Sequence, residues 1–218
     1  MGILRDEDLE YIRKKFQSEL VSEIPIVLFI SSDCQYCDPV RQLLEDITSV
    51  SDDKIDFTTR ELQDFHQKIL GVSRGPVILI GKNAEIRYTG APFGEEAWGF
   101  LEAIVLASNR KHELEPYKND LSSLDRKVKI ETIVTPTCPW CPHAALIAHK
   151  IAVASRGKVI SDVVEAYEFP EIADKFNVTA VPTIVLSVDS NYSGNVFTIG
   201  APKPKTLINA ILKLGVEE

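Results

Sequence analysis

Four cysteines fall into two pairs of identical spacing, Cys34-Gln35-Tyr36-Cys37 and Cys138-Pro139-Trp140-Cys141, and the 218 residues hold no others. Two thiols three residues apart suit disulfide exchange, because one can attack a substrate disulfide and the other can release it. On a helical turn, residues i and i+3 share a face with Cα atoms about 5 to 6 Å apart, within the span a disulfide needs. A cysteine at a helix start also meets free N–H groups and the positive end of the helix dipole, which favour thiolate. Cys34 and Cys138, at the exposed N-terminal edge, are therefore the expected attackers. Cys37 and Cys141, one turn further in, are the expected resolving thiols. The competing chemistry is metal. A structural zinc site usually joins two such pairs across about 12 to 20 residues, whereas 100 positions separate Cys37 from Cys138. Each pair also follows a strand and opens a helix, where zinc knuckles usually sit in turns, so no metal is expected.

Helical spacing of Leu9, Ile12, Phe16 and Leu20 predicts an amphipathic helix over residues 6–21. A continuous apolar run, 26–30, reads as a strand buried on both faces and leads straight to the first cysteine pair. A helix follows on Val40, Leu43, Leu44, Ile47 and Val50, then a strand over 54–59 and a helix over 61–70. After the loop 71–76 come two short strands, 77–80 and 86–89, joined by a turn at Gly81-Lys82-Asn83. Gly90-Ala91-Pro92 breaks the chain, and a helix with Trp98, Leu101 and Val105 on its inner face closes this half.

Residues 108–118 read as a linker between domains 1–107 and 119–218, after which the order of elements restarts. A short helix at Leu121 and Leu124, a strand over 128–134, a helix over 144–154 with Ile147, Ala148 and Ile151 facing in, and a strand over 159–164 are predicted. A helix over 170–176, strands over 183–188 and 196–199, and a final helix on Leu207, Ile208, Ile211 and Leu212 complete the second half. Cys34 to Cys138 and Leu20 to Leu124 are each 104 apart, Pro76 to Pro182 is 106 and Gly90 to Gly200 is 110. The offset drifts only through small loop insertions, the mark of an internal duplication.

This order of elements, with Thr135-Pro136-Thr137-Cys138-Pro139-Trp140-Cys141-Pro142 and Asn177-Val178-Thr179-Ala180-Val181-Pro182, resembles the two-domain protein disulfide oxidoreductases of thermophilic archaea and bacteria. Cys-Pro-aromatic-Cys is similar to the glutaredoxin motif, and tandem thioredoxin folds resemble protein disulfide isomerase. The resemblance implies an α/β protein of two tandem thioredoxin-like domains, each a central mixed sheet flanked by helices. It implies reduction, oxidation or isomerisation of protein disulfides at Cys34, Cys37, Cys138 and Cys141, and recharging by a thioredoxin-reductase-type flavoenzyme. It further implies that Gly75-Pro76 and Val181-Pro182 form the cis-proline loops that hold an extended substrate. Trp140, set between the thiols, either shields the disulfide or contacts substrate. An electron-relay module for a peroxidase system, or a non-enzymatic zinc- or peptide-binding module, are the alternatives.

Two departures matter. Thioredoxins carry a buried acid six residues before the first cysteine, but Leu28 and Thr132 stand there. A proton acceptor for the resolving thiol must come from elsewhere, and Glu165, at the end of a central strand, is a candidate. Gly75 stands where the other half has Val181, so the first loop should be less selective. The sites are not expected to be equivalent: Asp33 and Asp38 bracket the first pair and disfavour a second anion, while His143 beside the second could favour one. Cys138 is therefore expected to be the stronger thiolate and the main substrate site. Trp98 is expected in the core, and His66, His112 and His149 on helix surfaces or in the linker.

An apolar fraction of 44% and a charged fraction of 26% are those of an ordinary soluble protein. The formal charge of −8 comes from the first half, where residues 1–108 hold 11 Lys/Arg against 19 Asp/Glu, and this excludes a basic face for nucleic acid. The amino terminus has no apolar core for a signal peptide, and no apolar run approaches a membrane span, so a cytoplasmic protein is expected. That compartment keeps thiols reduced, which favours a redox-active rather than a structural role for both pairs. No organic cofactor is called for.

Overall fold

The computed structural model describes residues 2–188 and 194–216. In chain order its elements are α1 (Asp6–Glu19), β1 (Ile24–Ile30), α2 (Cys37–Ser49), β2 (Ile55–Glu61), α3 (Asp64–Leu70), β3 (Val77–Ile80), β4 (Ile86–Thr89) and α4 (Glu96–Asn109). A 3-10 turn, Glu115–Tyr117, then leads into α5 (Lys118–Ser122), β5 (Val128–Val134), α6 (Cys141–Ala154), β6 (Val159–Glu165), α7 (Pro170–Lys175), β7 (Thr183–Val188), β8 (Asn195–Ile199) and α8 (Pro204–Leu214). The order of elements agrees with the sequence reading. Helix α4 runs on to Asn109, into the segment expected to be linker.

Each half repeats one topology. In the first, β1 pairs parallel with β2 and antiparallel with β3, which pairs antiparallel with β4. In the second, β5 stands in the same relation to β6 and β7, and β7 to β8. The two four-stranded sheets are one, because β4 pairs parallel with β6, giving the order β2-β1-β3-β4-β6-β5-β7-β8. Equivalent strands therefore meet different surroundings. Strand β2 (IDFTTRE) is an outer edge and is largely exposed, whereas its counterpart β6 (VISDVVE) lies between β4 and β5 and is buried. An edge strand must carry polar and charged residues to avoid pairing with another chain, and a central one need not.

Buried charges mark the joint between the sheets. Arg87 Nε of β4 lies 3.1 Å from Asp162 Oδ2 of β6, and Lys129 Nζ of β5 lies 3.0 Å from the same oxygen and 2.7 Å from Glu131 Oε1. Thr89 Oγ1 accepts from Arg87 Nε at 3.0 Å and donates to Asp162 Oδ1 at 2.9 Å. A one-residue slip of β4 against β6 would turn these groups to the opposite face and strand a buried charge, so the network fixes the register.

Helices α4 and α6 cover the joint side by side. A Cβ on Gly99 would lie 2.8 Å from Pro142 Cβ, the rings of Trp98 and His143 are 5.0 Å apart, and Arg110 Nη2 donates to the Val153 carbonyl at 2.9 Å. These pairs are offset by 43 to 45 residues along the whole length, so the helices run parallel and in step. One apolar cluster crosses the joint, joining Ile26, Leu28, Leu44, Tyr88, Phe100 and Ile104 of the first half to Val134, Cys138, Cys141, Ala145 and Val163 of the second. Helix α4 consequently buries more than the predicted stripe. Glu96, Gly99, Phe100, Ala103 and Ile104 are covered, and Trp98, expected in the core, is 38% exposed at the helix boundary. His149 and His112, expected on the surface, are both buried, His149 in α6 against Tyr88 and His112 in the turn after α4.

Candidate active site

Both cysteine pairs are closed as disulfides with Cα atoms 5.5 Å apart. Helices α2 and α6 open at the second cysteine of each pair, so Cys34 and Cys138 lie in the turn leading in rather than on the helix itself. The turn is tight: Cys138 N–H donates to the Thr135 carbonyl at 3.2 Å and Cys141 N–H to the Cys138 carbonyl at 3.3 Å.

At the first site Cys34 is half-buried and Cys37 is covered. Gly75 stands against the disulfide: a Cβ there would lie 3.1 Å from Cys37 Sγ and 2.7 Å from the Phe29 carbonyl oxygen, so only glycine fits. The Gly75 N–H donates to Ser31 Oγ at 3.0 Å, the Gly75-Pro76 bond is cis, and the Pro76 carbonyl accepts from Gly90 N–H at 3.0 Å. Asp38 is paired with Arg41 at 2.6 Å, which offsets part of the negative charge expected around Cys34.

Cys34 forms one wall of a cleft of about 400 Å³ that no pattern in the sequence announces. Asp33, Tyr36, Arg74 and Gly75 line it from the first half, and Pro136, Glu165, Tyr167 and Glu168 from the second. Arg74 spans the joint, with Nη1 2.8 Å from Glu171 Oε1, Nη2 bonded to the Glu168 carbonyl, and its guanidinium 4.8 Å from the centre of the Phe169 ring. Glu168 Oε1 accepts from Ala91 N–H at 2.6 Å. Burial pushes the Glu168 carboxyl up to about 7, with Glu165 adding to the rise and the Ala91 N–H and Arg74 opposing it. Burial also raises Glu165, against the N–H groups of Tyr167 and Glu168 that bond its oxygens. Glu165, offered from sequence as a proton acceptor, thus faces the cleft of the other half's cysteines.

The second site is built differently. Cys138 is only 8% exposed, where an exposed attacker was expected, and Cys141 is fully covered. Both belong to the apolar cluster that crosses the joint, and Val181 of the Val181-Pro182 loop packs on that cluster. The Val181-Pro182 bond is cis, and the Pro182 carbonyl accepts from Gly200 N–H at 2.7 Å. Trp140 projects between the cysteines at 68% exposure, 6.0 Å from the ring of His143, which in turn packs on Trp98. The first half supplies a wall: Glu95 N–H donates to the Pro136 carbonyl at 2.8 Å, and Gly94, at φ +63°, presses on the same carbonyl. Leu28 and Thr132, at the positions without an acid, are both buried.

At the first site the structure brings Gly75 beside Cys37, and at the second Val181 packs on the apolar cluster that holds Cys138 and Cys141. Sequence reasoning missed Glu96, Tyr88, His149 and Glu168. The signal for Glu96 was present: it stands four residues before Phe100 and seven before Ala103. That is the buried stripe of α4, and taking Trp98 as the inward marker rotated the helix away from it.

Comparison with known proteins agrees with this geometry. A thioredoxin-domain family model matches residues 127–213. A thioredoxin of Methanocaldococcus jannaschii is 37% identical over 87 residues, 40% of this chain and 95% of its own length. A probable thioredoxin of Methanothermobacter marburgensis is 31% identical over 84 residues, 38% of this chain and 92% of that one. Among solved structures, a protein disulfide oxidoreductase from Aeropyrum pernix superposes with a TM-score of 0.84 at 27% identity, covering 98% of this chain and 95% of the other. An alkylhydroperoxide reductase component from Enterococcus faecalis shares the fold, with a TM-score of 0.79 at 20% identity over 95% of this chain and 98% of that one.

Proposed function

The chain belongs to the thioredoxin family, and from that premise we propose that it is a two-site protein disulfide oxidoreductase working by thiol–disulfide exchange. The observation that carries the reading is the pair of disulfides at equivalent places in two halves, each at a helix N-terminus and each closed at a Cα separation of 5.5 Å. In the reducing direction the Cys34 or Cys138 thiolate attacks one sulfur of a substrate disulfide and forms a mixed disulfide. The electron pair of the broken bond leaves on the other substrate sulfur. The Cys37 or Cys141 sulfur then attacks the enzyme's sulfur in the mixed disulfide and releases the second substrate thiolate. The dithiol loses two electrons and the substrate disulfide gains them.

Gly75-Pro76 and Val181-Pro182 are the proposed substrate rests, and Trp140 a further contact at the second site. Gly75 supports this by bringing its backbone against Cys37 where no side chain fits, and Val181 by packing on the cluster that holds the second pair. A flavoenzyme of the thioredoxin-reductase type is the proposed electron donor, and the cytoplasm the proposed compartment. Among the described residues no helix is long and apolar enough to cross a membrane. The proposed division between the two units falls at 108–118. Its support is the end of α4 at Asn109 and the left-handed turn at Arg110 (φ 53°).

Insulin reduction tests the reading, using the full chain, a Cys34→Ser/Cys37→Ser variant, a Cys138→Ser/Cys141→Ser variant and the fourfold variant. Turnover in the first three and none in the fourth is expected. Stoichiometric zinc without turnover in the unmodified chain would defeat it. The direction of exchange follows from the reduction potential of each pair: about −270 mV would mark a reductase and about −180 mV an isomerase.

A further inference from the structure

Cys141 is wholly buried, so when it acts as the resolving thiol its proton cannot pass directly to water. One unpaired carboxyl is placed to take it. Glu96, the first residue of α4, is 2% exposed, and neither of its oxygens has a hydrogen-bond partner. A buried carboxyl with no partner costs several kcal/mol if ionised, and packing gives no reason to keep one. The step of α4 against α6, with Trp98 on His143 and Gly99 on Pro142, sets Glu96 level with the Cys138–Cys141 turn. Glu95 N–H, on the preceding residue, is held by the Pro136 carbonyl two residues before Cys138.

We propose that Glu96, supplied by the first half of the chain, accepts the proton of the Cys141 thiol as the second half's disulfide forms. This rests on the exchange reaction proposed above. The Cys141 S–H bond breaks, its proton goes to a Glu96 oxygen, and the Cys141 sulfur bonds Cys138 Sγ. The bond from Cys138 to the substrate sulfur breaks, and its electron pair leaves on that sulfur, which takes a proton from water. In the opposite direction a protonated Glu96 returns the proton to Cys141.

Burial raises the Glu96 carboxyl to about 8, far enough above an ordinary carboxyl for it to hold a thiol's proton near neutral pH. Tyr88 from β4 interacts with Glu96, and burial and Glu96 both hold its hydroxyl protonated; the titratable groups on the buried face of α6 are Cys141 and His149. His149 is kept neutral by burial and bonds the Tyr88 hydroxyl at 3.2 Å through Nε2. Strands β1 and β3, on which α4 also packs, carry no titratable side chain, and Lys15 of α1 meets α4 farther along, at Glu102.

The test uses the full chain with Cys34→Ser and Cys37→Ser, so that only the second site reports. Stopped-flow with a peptide disulfide separates capture by Cys138 from release by Cys141. In Glu96→Gln, release is expected to slow about 100-fold and the mixed disulfide to accumulate, while capture changes by less than about twofold. Glu96→Asp should recover part of the release rate. Infrared spectroscopy of the same protein should show a protonated carboxyl band that Glu96→Gln removes and whose titration midpoint moves when the disulfide is reduced. Release undiminished in Glu96→Gln, or capture and release slowed together, overturns the inference while the exchange reaction stands. Absence of exchange in the parent overturns both.

Discussion

The first disulfide opens onto a polar cleft and the second is sunk in an apolar seam, although both come from copies of one unit. Cys34 shares its cleft with Asp33, Arg74, Glu165 and Glu168, whereas Cys138 and Cys141 pack with Phe100, Ile104 and Ala145. The difference arises from how the copies join. Pairing β4 with β6 buries the last strand of one half and the second strand of the other, so the same fold presents opposite edges to the joint. Helix α4 is thereby carried onto the second pair of cysteines, and the loop after β6 onto the first. Each site is completed by the half that does not contain it.

The sharpest way to break this comparison is to fill the close approach that each site depends on. In Gly75→Val the new Cβ would meet the Phe29 carbonyl at 2.7 Å and Cys37 Sγ at 3.1 Å. Exchange at the first site should fall by at least about 10-fold, with about 1 to 3 kcal/mol lost from overpacking. Gly99→Val would drive a Cβ to 2.8 Å from Pro142, with a similar loss of stability, and should impair the second site alone. Single-turnover assays on each isolated pair, with thermal melts, check both. Damage to both sites by either substitution would show that the two are not built separately.

A smaller effect is expected from pH, and it separates the seam from the cleft. His149 is held at about 3 by burial, below its unfolded 6.5, so its contribution is complete above pH 6.5 and is lost as pH falls toward 3. Glu96 is held at about 8, above its unfolded 4.5, so folding is favoured at low pH and loses that advantage as pH rises from 4.5 to 8. Stability should therefore pass through a maximum between these limits. Glu96→Gln should flatten the alkaline side of the curve in a thermal-melt series, and His149→Gln the acidic side. Glu168, held at about 7, acts with the same sign as Glu96 and adds negative charge to the cleft as pH passes 7.

The smallest effect is reserved for Arg74→Ala. The pair with the half-exposed Glu171 contributes only about 0.5 to 1 kcal/mol, and loss of the bond to the Glu168 carbonyl and of the contact with Phe169 adds to it. Exchange at the first site should nonetheless change, because the Glu168 carboxyl loses a neighbouring cation and becomes harder to ionise. An unaltered pH profile at that site would detach Glu168 from its chemistry.

Strands and helices were legible because their signals are local. The runs at 77–80 and 128–134 coincide with β3 and β5, bounded by a proline and by turn residues that stop a strand wherever it lies. Burial was less legible. The faces of α4 and α6 were read as narrow stripes, as for helices with one side in water, but these two helices cover each other and bury Glu96 and His149 as well. Trp98 misled for the same reason: a large apolar side chain on a helix between two units can lie at their rim as readily as inside.

The sequence alone determined the two dithiol turns, the duplication, and hence the exchange chemistry, because a three-residue spacing and a repeated order of elements need nothing distant to be recognised. Only the tertiary structure decided that the two sheets are one, that Cys138 is covered while Cys34 opens on a cleft, that Glu168 shares that cleft, and that Glu96 is buried at the start of α4. Those features depend on which edges meet. Strand pairing is set by backbone hydrogen bonds, which every non-proline residue offers alike, and by the fit of distant side chains such as Arg87 and Asp162, which no local pattern records.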